Sequence, residues 1–193
     1  MTVEVVEGLD AIAWEIRELH GERGHKVDAA LELDPAFVRN RRPRSSLGRS
    51  LVEEGFTTGA AKAGFTATTG PGGYLQIHVD LPASFATIRL RKAERTRDGY
   101  KVLANKNSSW SESADEGLFP EHRFVIGFVL DDNGLGDIFV AEVLGTTAGN
   151  PGDLILGHPV LLGERDDTPR GFRTDQDDTL PGIDDAADHE LEA

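Results

Sequence analysis

The first part of the chain carries apolar residues at helical spacing. Five of them recur every three to four positions and define one face: Leu9, Ile12, Ala13, Ile16 and Leu19. This period predicts an amphipathic helix over about 9–20. Because glycine disfavours a helix interior, we expect Gly21 and Gly24 to end or loosen this helix.

Two more helices are predicted in the next stretch of sequence. Asp34-Pro35 places a capping carboxylate before a proline, which the first helical turn tolerates, so a short helix is expected there. Ser45 or Ser46 can cap a third helix, which we expect to stop at Gly55. The apolar positions of this third helix are Leu47, Leu51 and Val52. The helical part of the chain is therefore expected over about 9–66.

From residue 74 the apolar period changes to two, which is typical of strands with one buried face. Residues 74–80 and 86–91 alternate in this way, and residues 100–103 are a plausible third strand. Residues 124–130 are apolar on both faces, which predicts a central strand. Together these segments predict a β part that begins near residue 73.

A β-hairpin is the strongest local prediction in this half. The turn sequence Asp131-Asp132-Asn133-Gly134 joins the central strand to a second apolar strand over 138–144. Residues 154–162 predict a last strand, and Pro159 places it at a sheet edge because proline lacks the N–H of a sheet ladder.

The order of these elements predicts the fold class. Helices followed by strands indicate an α+β protein with a mainly antiparallel sheet of about five or six strands. We expect residues 1–163 to form a single domain, with its β part over about 73–162. From Glu164 onward the sequence is rich in Asp and poor in apolar residues, so 164–193 is predicted to be a disordered acidic tail.

Composition narrows the class of protein. The 193 residues include no cysteine, which excludes disulfides and thiolate sites. The first ten residues are acidic and do not resemble a secretory signal. No stretch approaches the ~18 apolar residues of a membrane span. We therefore expect a cytoplasmic protein that does not contact a membrane.

Charge is distributed unevenly along the chain. The net charge is −14, yet residues 39–106 hold 13 basic and 5 acidic side chains, whereas residues 107–193 hold 4 basic and 20 acidic ones. The residues interpreted as a polyanion-binding surface are Arg39, Arg41, Arg42, Arg44, Arg89, Arg91, Lys92, Arg95 and Arg97. The first four are expected in a loop around Pro43, and Arg89 and Arg91 share a strand face that suits successive phosphates. The alternative is that acidic surface elsewhere in the protein neutralises these charges.

A helix-turn-helix is a weaker interpretation of residues 47–65, with its turn at Gly55. The second helix of such a motif would read Gly59-Ala60-Ala61-Lys62-Ala63-Gly64, and it offers almost no side chain able to contact base edges.

Catalytic patterns are mostly absent from the sequence. No phosphate-binding GxxxxGK loop or GxSxG nucleophile turn occurs, and no acidic residue precedes a lysine by two positions, as it does in common metal-dependent nucleases. His78 and Asp80 lie on one strand face, and Glu142 lies on an apolar strand face. These three are weak candidates for a catalytic or metal-binding cluster. If the apolar face is core, Glu142 needs a buried partner, for which Arg89 or Arg91 is the candidate. The other histidines show no ligand spacing, and no cofactor is predicted.

The sequence therefore favours a non-enzymatic interaction or regulatory protein. Its basic segment 39–97 is expected to contact a protein or nucleic-acid partner, and the acidic tail is a candidate for masking that segment. A divergent metal-dependent nuclease or hydrolase is the alternative. A further alternative is an acidic nucleic-acid mimic, in which the tail itself is the functional element.

Overall fold

Two long helices and a short one form the first layer of the computed structural model. They are α1 (Val3–Glu32), α2 (Pro35–Arg39) and α3 (Arg41–Lys62). The structure describes residues 3–39, 41–70, 72–81, 84–104, 121–131, 134–149 and 152–163. These residues belong to one compact unit, and the predicted disordered tail lies outside them. No helix in these ranges combines the length and the apolar composition that crossing a membrane requires.

The first helix is much longer than predicted. It continues through Gly21 and Gly24 to Glu32, because tertiary contacts in its second half compensate for the low helix propensity of glycine. Arg23 Nη1 lies 2.6 Å from Glu54 Oε1 on α3, and Leu31 is buried. The short second helix is confirmed, and Asp34 Oδ1 accepts a hydrogen bond of 2.7 Å from the Ala36 N–H at its start.

The third helix corrects three expectations. It begins at Arg41, so the predicted basic loop is helical and Ser45 and Ser46 lie inside the helix and do not cap it. Pro43 lies in the first turn, where a missing N–H breaks no helical hydrogen bond. The helix also runs through Gly55 to Lys62 without a turn, so the helix-turn-helix interpretation is wrong.

Glycines allow α1 and α3 to pack closely as an antiparallel pair. A Cβ added at Gly55 would lie 2.8 Å from Ile16 Cα, and one added at Gly59 would lie 2.8 Å from Ile12 Cα. Real Cβ atoms do not approach so closely, so both positions require glycine in this packing. Gly55 therefore allows the two helices to pack closely, and it does not end α3.

The described residues form a second layer, a mixed sheet of eight strands. The strands are β1 (Ala67–Thr69), β2 (Leu75–Leu81), β3 (Ser84–Thr96), β4 (Gly99–Lys101), β5 (Glu121–Asp131), β6 (Gly134–Thr146), β7 (Leu154–Leu156) and β8 (Val160–Leu161). Their order is β1-β2-β3-β5-β6-β7, with β4 paired to β3 and β8 paired to β6. All pairs are antiparallel except β3 with β5. The predicted α+β class with a mainly antiparallel sheet is confirmed.

Individual strands agree with the prediction to different degrees. The β5–β6 hairpin is confirmed, with Phe128 opposite Ile138. The predicted last strand divides into β7 and β8, with Pro159 between them. Strand β1 was not predicted, because its three residues lie in a stretch rich in glycine, alanine and threonine.

Apolar side chains fill both faces of the sheet. The core between helices and sheet contains Leu9, Ile12, Ile16, Val52, Phe56, Ile77, Ile88, Ile126 and Ile138. A smaller cluster on the opposite face contains Ala93, Val102, Val125, Phe139 and Leu154. Tyr100 stacks on Phe139 there, with ring centroids 4.0 Å apart. The sheet is thus buried on both faces near its centre, which agrees with the apolar character of β5.

The last described residues are tied to the first helix. Arg17 Nη1 donates to the Gly136 carbonyl at 3.1 Å, and Arg17 Nη2 donates to the Leu162 carbonyl at 3.4 Å. The Gly163 N–H donates to Asp10 Oδ1 at 2.6 Å. These contacts join the middle of α1 to β6 and to the end of β8.

Candidate anion-binding cleft

Two of the predicted polyanion-binding arginines are buried. Arg89 and Arg91 are only 5% and 8% exposed. Arg89 Nε donates to Gln76 Oε1 at 3.0 Å, while Arg91 donates to the Leu103 carbonyl and lies 4.2 Å from the Tyr74 ring centroid. Burial lowers the pKa of both guanidinium groups. They therefore do not present adjacent charges to a phosphate backbone.

The remaining basic residues are distributed over several elements. Arg39 at the end of α2, Arg42 in α3 and Arg97 after β3 are exposed, and the side chain of Arg41 lies outside the described part of the chain. Arg44 Nη2 contacts Asp28 Oδ1 at 2.7 Å, and Arg95 Nη1 contacts Asp137 Oδ2 at 3.3 Å. Part of the basic segment is therefore neutralised by pairing within the protein.

The weak catalytic candidates are not brought together. The strand register places Ile77, Ile88, Phe124 and Glu142 in one row across the sheet, on the face that packs against the helices. His78 lies on the opposite face, between Gln76 Nε2 at 3.0 Å and Thr87 Oγ1 at 3.2 Å. Asp80 shares the face of His78. Among the described residues, no three His, Asp or Glu side chains lie close enough to hold a metal ion.

Glu142 also has a different partner from the one that its sequence position suggested. The helices do not cover its end of the sheet, so its side chain is 47% exposed and needs no buried counter-charge. Glu142 Oε1 lies 3.7 Å from His122 Nδ1. Arg89 and Arg91 point away from it, on the other face.

A cleft of about 770 Å³ is formed by described residues of the helices and the sheet. It lies between the second half of α1, the first half of α3 and the ends of β3, β5 and β6 at one edge of the helix layer. The residues that line it are His20, Gly24, His25, Val27, Asp28, Arg44, Ser45, Gly48, Lys92, Leu130, Asp131 and Gly134. This volume lies within the range of small-molecule and peptide side-chain sites.

Two cations enter this cleft from different elements. Lys92 on β3 places its Nζ 3.1 Å from Ser45 Oγ on α3. Arg44, one residue before Ser45, reaches Asp28 on α1. Asp131 also lines the cleft, so two carboxylates face two cations there. The cleft therefore contains both cationic hydrogen-bond donors and carboxylates.

His20 adds a titratable group to the cleft. The His20 ring contacts α1 and the β5–β6 hairpin: a Cβ added at Gly24 would lie 3.2 Å from His20 Cε1, and one added at Gly134 would lie 3.3 Å from it. Burial lowers the pKa of His20, and the charge of Asp28 partly opposes this effect. Burial therefore favours the neutral form of His20, and protonation at lower pH would add positive charge to the cleft.

Sequence reasoning identified some residues of this cleft and missed others. Arg44 and Lys92 were among the predicted anion-binding residues. His20 and His25 were set aside because their spacing matches no metal site. The contact between Ser45 and Lys92 joins residues 47 positions apart, and no local pattern could indicate it. The basic character of residues 39–44 was the available signal.

Comparison with known proteins assigns neither a family nor a function to the chain. No protein-family model matches the chain, and neither a curated protein nor a solved structure matches it. The side chains of the cleft and their surroundings are therefore the basis for a functional proposal.

Proposed function

We propose that this protein is a non-enzymatic interaction protein that holds an acidic segment of a partner protein in the cleft between α1, α3 and the sheet. The observation that carries the proposal is the convergence of Arg44 and Lys92, from two different elements, at a cleft of about 770 Å³. Arg39, exposed at the end of α2, adds a further positive charge close in sequence to the start of α3. A flexible acidic segment can follow such a series of cations.

The composition of the cleft favours an acidic protein segment over a nucleic acid. Nucleic-acid binders commonly neutralise roughly 6–10 phosphates, and burial withdraws Arg89 and Arg91 from that role. Val27 and Leu130 also line the cleft and suit the apolar side chains that accompany acidic residues in proteins.

The alternatives have less support from the side-chain geometry. A hydrolase that uses His78, Asp80 and Glu142 would need groups from opposite faces of the sheet to act on one substrate. The nucleic-acid mimic depends on the acidic tail, which lies outside the described residues. It stays a hypothesis from composition.

Peptide binding tests the proposal. Fluorescence anisotropy of a labelled Asp/Glu-rich peptide is measured with the full chain at low ionic strength, where exposed charge contacts are least screened. Lys92→Ala should weaken binding about tenfold, as expected for the loss of one charged contact. Lys101→Ala is the matched control, because Lys101 pairs with Asp153 at 3.3 Å and does not line the cleft.

DNA and RNA oligonucleotides are titrated in parallel with the peptide. Binding of the peptide that depends on Lys92 and not on Lys101 supports the proposal. Binding of oligonucleotides without binding of the peptide would replace it with the nucleic-acid alternative. If neither ligand binds at low ionic strength, the basic residues serve internal pairing and the proposal fails.

A further inference from the structure

Three of the polar side chains that line the cleft can donate hydrogen bonds. Lys92 Nζ and Ser45 Oγ lie 3.1 Å apart, and Arg44 is adjacent to Ser45 in the first turns of α3. We infer that Lys92, Ser45 and Arg44 recognise a phosphate monoester, so that the anionic group bound in the cleft is a phosphate in preference to a carboxylate. This inference rests on the proposed function, because it specifies the chemistry of the same site.

Each of the three side chains retains donors for a ligand. An ammonium group has three N–H donors, and the contact with Ser45 uses one of those on Lys92. The Ser45 hydroxyl accepts that hydrogen bond, so its own proton is left to donate. A guanidinium has five N–H donors, and the contact of Arg44 with Asp28 is made through Nη2. The site therefore has three side chains that can donate to one ligand.

The number of donors distinguishes a phosphate from a carboxylate. A carboxylate carries one charge and two acceptor oxygens, which is one oxygen fewer than the three side chains that can donate. A phosphate monoester carries about −1.5 to −2 charges and three acceptor oxygens. It can therefore accept from Lys92, Ser45 and Arg44 together while Asp28 keeps its contact.

The size of the cleft indicates that the phosphate is attached to a larger group. A volume of about 770 Å³ is much larger than a phosphate, and Val27 and Leu130 provide apolar wall beside the cations. His20 lines the same space and adds a donor when it is protonated. A phosphorylated side chain of a partner and a free phosphate ester of a small molecule share this chemistry, and binding measurements distinguish them.

Calorimetric titrations of the full chain test the inference with four probes. They are a phosphoserine peptide, the same peptide with Glu at that position, the same peptide with unmodified Ser, and phenyl phosphate. We expect the phosphoserine peptide to bind at least tenfold more tightly than the Glu peptide. Lys92→Ala and Ser45→Ala should each weaken its binding roughly tenfold, whereas Lys101→Ala should leave it unchanged. Thermal melts of each variant show whether the fold is retained.

The outcomes separate this inference from the proposed function. Equal binding of the phosphoserine and Glu peptides overturns the phosphate preference and leaves the proposed function in place. Binding of neither peptide, nor of phenyl phosphate, overturns both. Phenyl phosphate that binds as tightly as the phosphoserine peptide supports the phosphate site and assigns it to a small molecule, against the protein partner. A folded Lys92→Ala protein that binds the phosphoserine peptide as well as wild type overturns the assigned donors.

Discussion

The close contact between α1 and α3 predicts how the substitution Gly55→Ala changes the stability of the protein. Substitution Gly55→Ala adds one methyl group to a helix, which by intrinsic propensity alone stabilises the helix by about 1 kcal/mol. The same methyl group would lie 2.8 Å from Ile16 Cα and 3.2 Å from the Ile16 backbone nitrogen. Since the nearest atoms belong to the backbone of α1, no change of side-chain rotamer can relieve this contact.

The two effects have opposite signs, and their magnitudes decide the result. Overpacking of a well-packed interface costs typically 1–3 kcal/mol, and it costs most where backbone must move. The gain in propensity offsets about 1 kcal/mol of this. We therefore expect Gly55→Ala to lower the free energy of unfolding by about 1–2 kcal/mol. Gly59→Ala should behave similarly, because its Cβ would lie 2.8 Å from Ile12 Cα.

Urea unfolding followed by far-ultraviolet circular dichroism measures these free energies. Gly21→Ala is the matched control, since it makes the same substitution in α1 at a position with no heavy atom within 4 Å of the added Cβ. That variant should be more stable than wild type by about 0.5–1 kcal/mol. If Gly55→Ala also stabilises the protein, the close approach of the two helices is wrong.

Three further predictions concern charge. Burial favours neutral His20, so the unfolded chain binds more protons at this residue, and the free energy of unfolding should fall as pH drops below about 6.5. His20→Asn should reduce this pH dependence in urea melts. Arg91→Ala should lower the free energy of unfolding by roughly 2 kcal/mol, because the Leu103 carbonyl loses a charged hydrogen-bond donor. Calorimetry should show that this variant binds the phosphoserine peptide as wild type does. The segment after Gly163 is expected to bury little, so truncation there should leave the melting temperature within about 10 °C of wild type. Because the truncation removes 11 acidic and 3 basic residues, the protein should also bind the acidic peptide more tightly at low salt.

Local patterns were sufficient to predict most of the elements. Alternation identified β2, and the turn at Asp131 identified the β5–β6 hairpin, because strand and hairpin signals act over fewer than about ten residues. Asp34 and Pro35 identified α2 for the same reason. The class of the fold followed from the order of these elements.

The errors arose where tertiary contacts override local preference. Gly55 is a helix terminator by propensity, yet here it lies inside α3 because Ile16 of another helix needs the space. Lys92 and Ser45 likewise meet through the packing of α3 on β3, and their contact has no local signature. The buried Arg89 alternates with apolar neighbours just as a solvent-facing arginine would, so its position in sequence could not distinguish the two environments.

The parallel pairing of β3 with β5 was not predicted for a related reason. Its partners Ile88 and Phe124 are separated by the whole of β4 and by residues outside the described ranges. A parallel pair requires a long connection, whereas the sequence marks only short turns clearly.

The ties of Arg17 and Asp10 to residues 162 and 163 have a consequence for synthesis on the ribosome. Arg17 and Leu162 are 145 positions apart, so at about 5–20 residues per second the acceptor is made roughly 7–30 s after its donor. The helical pair α1–α3 is complete in sequence much earlier, by Lys62. During that interval, the apolar face that α1 and α3 bury against the sheet in the folded protein has no complete sheet to cover it.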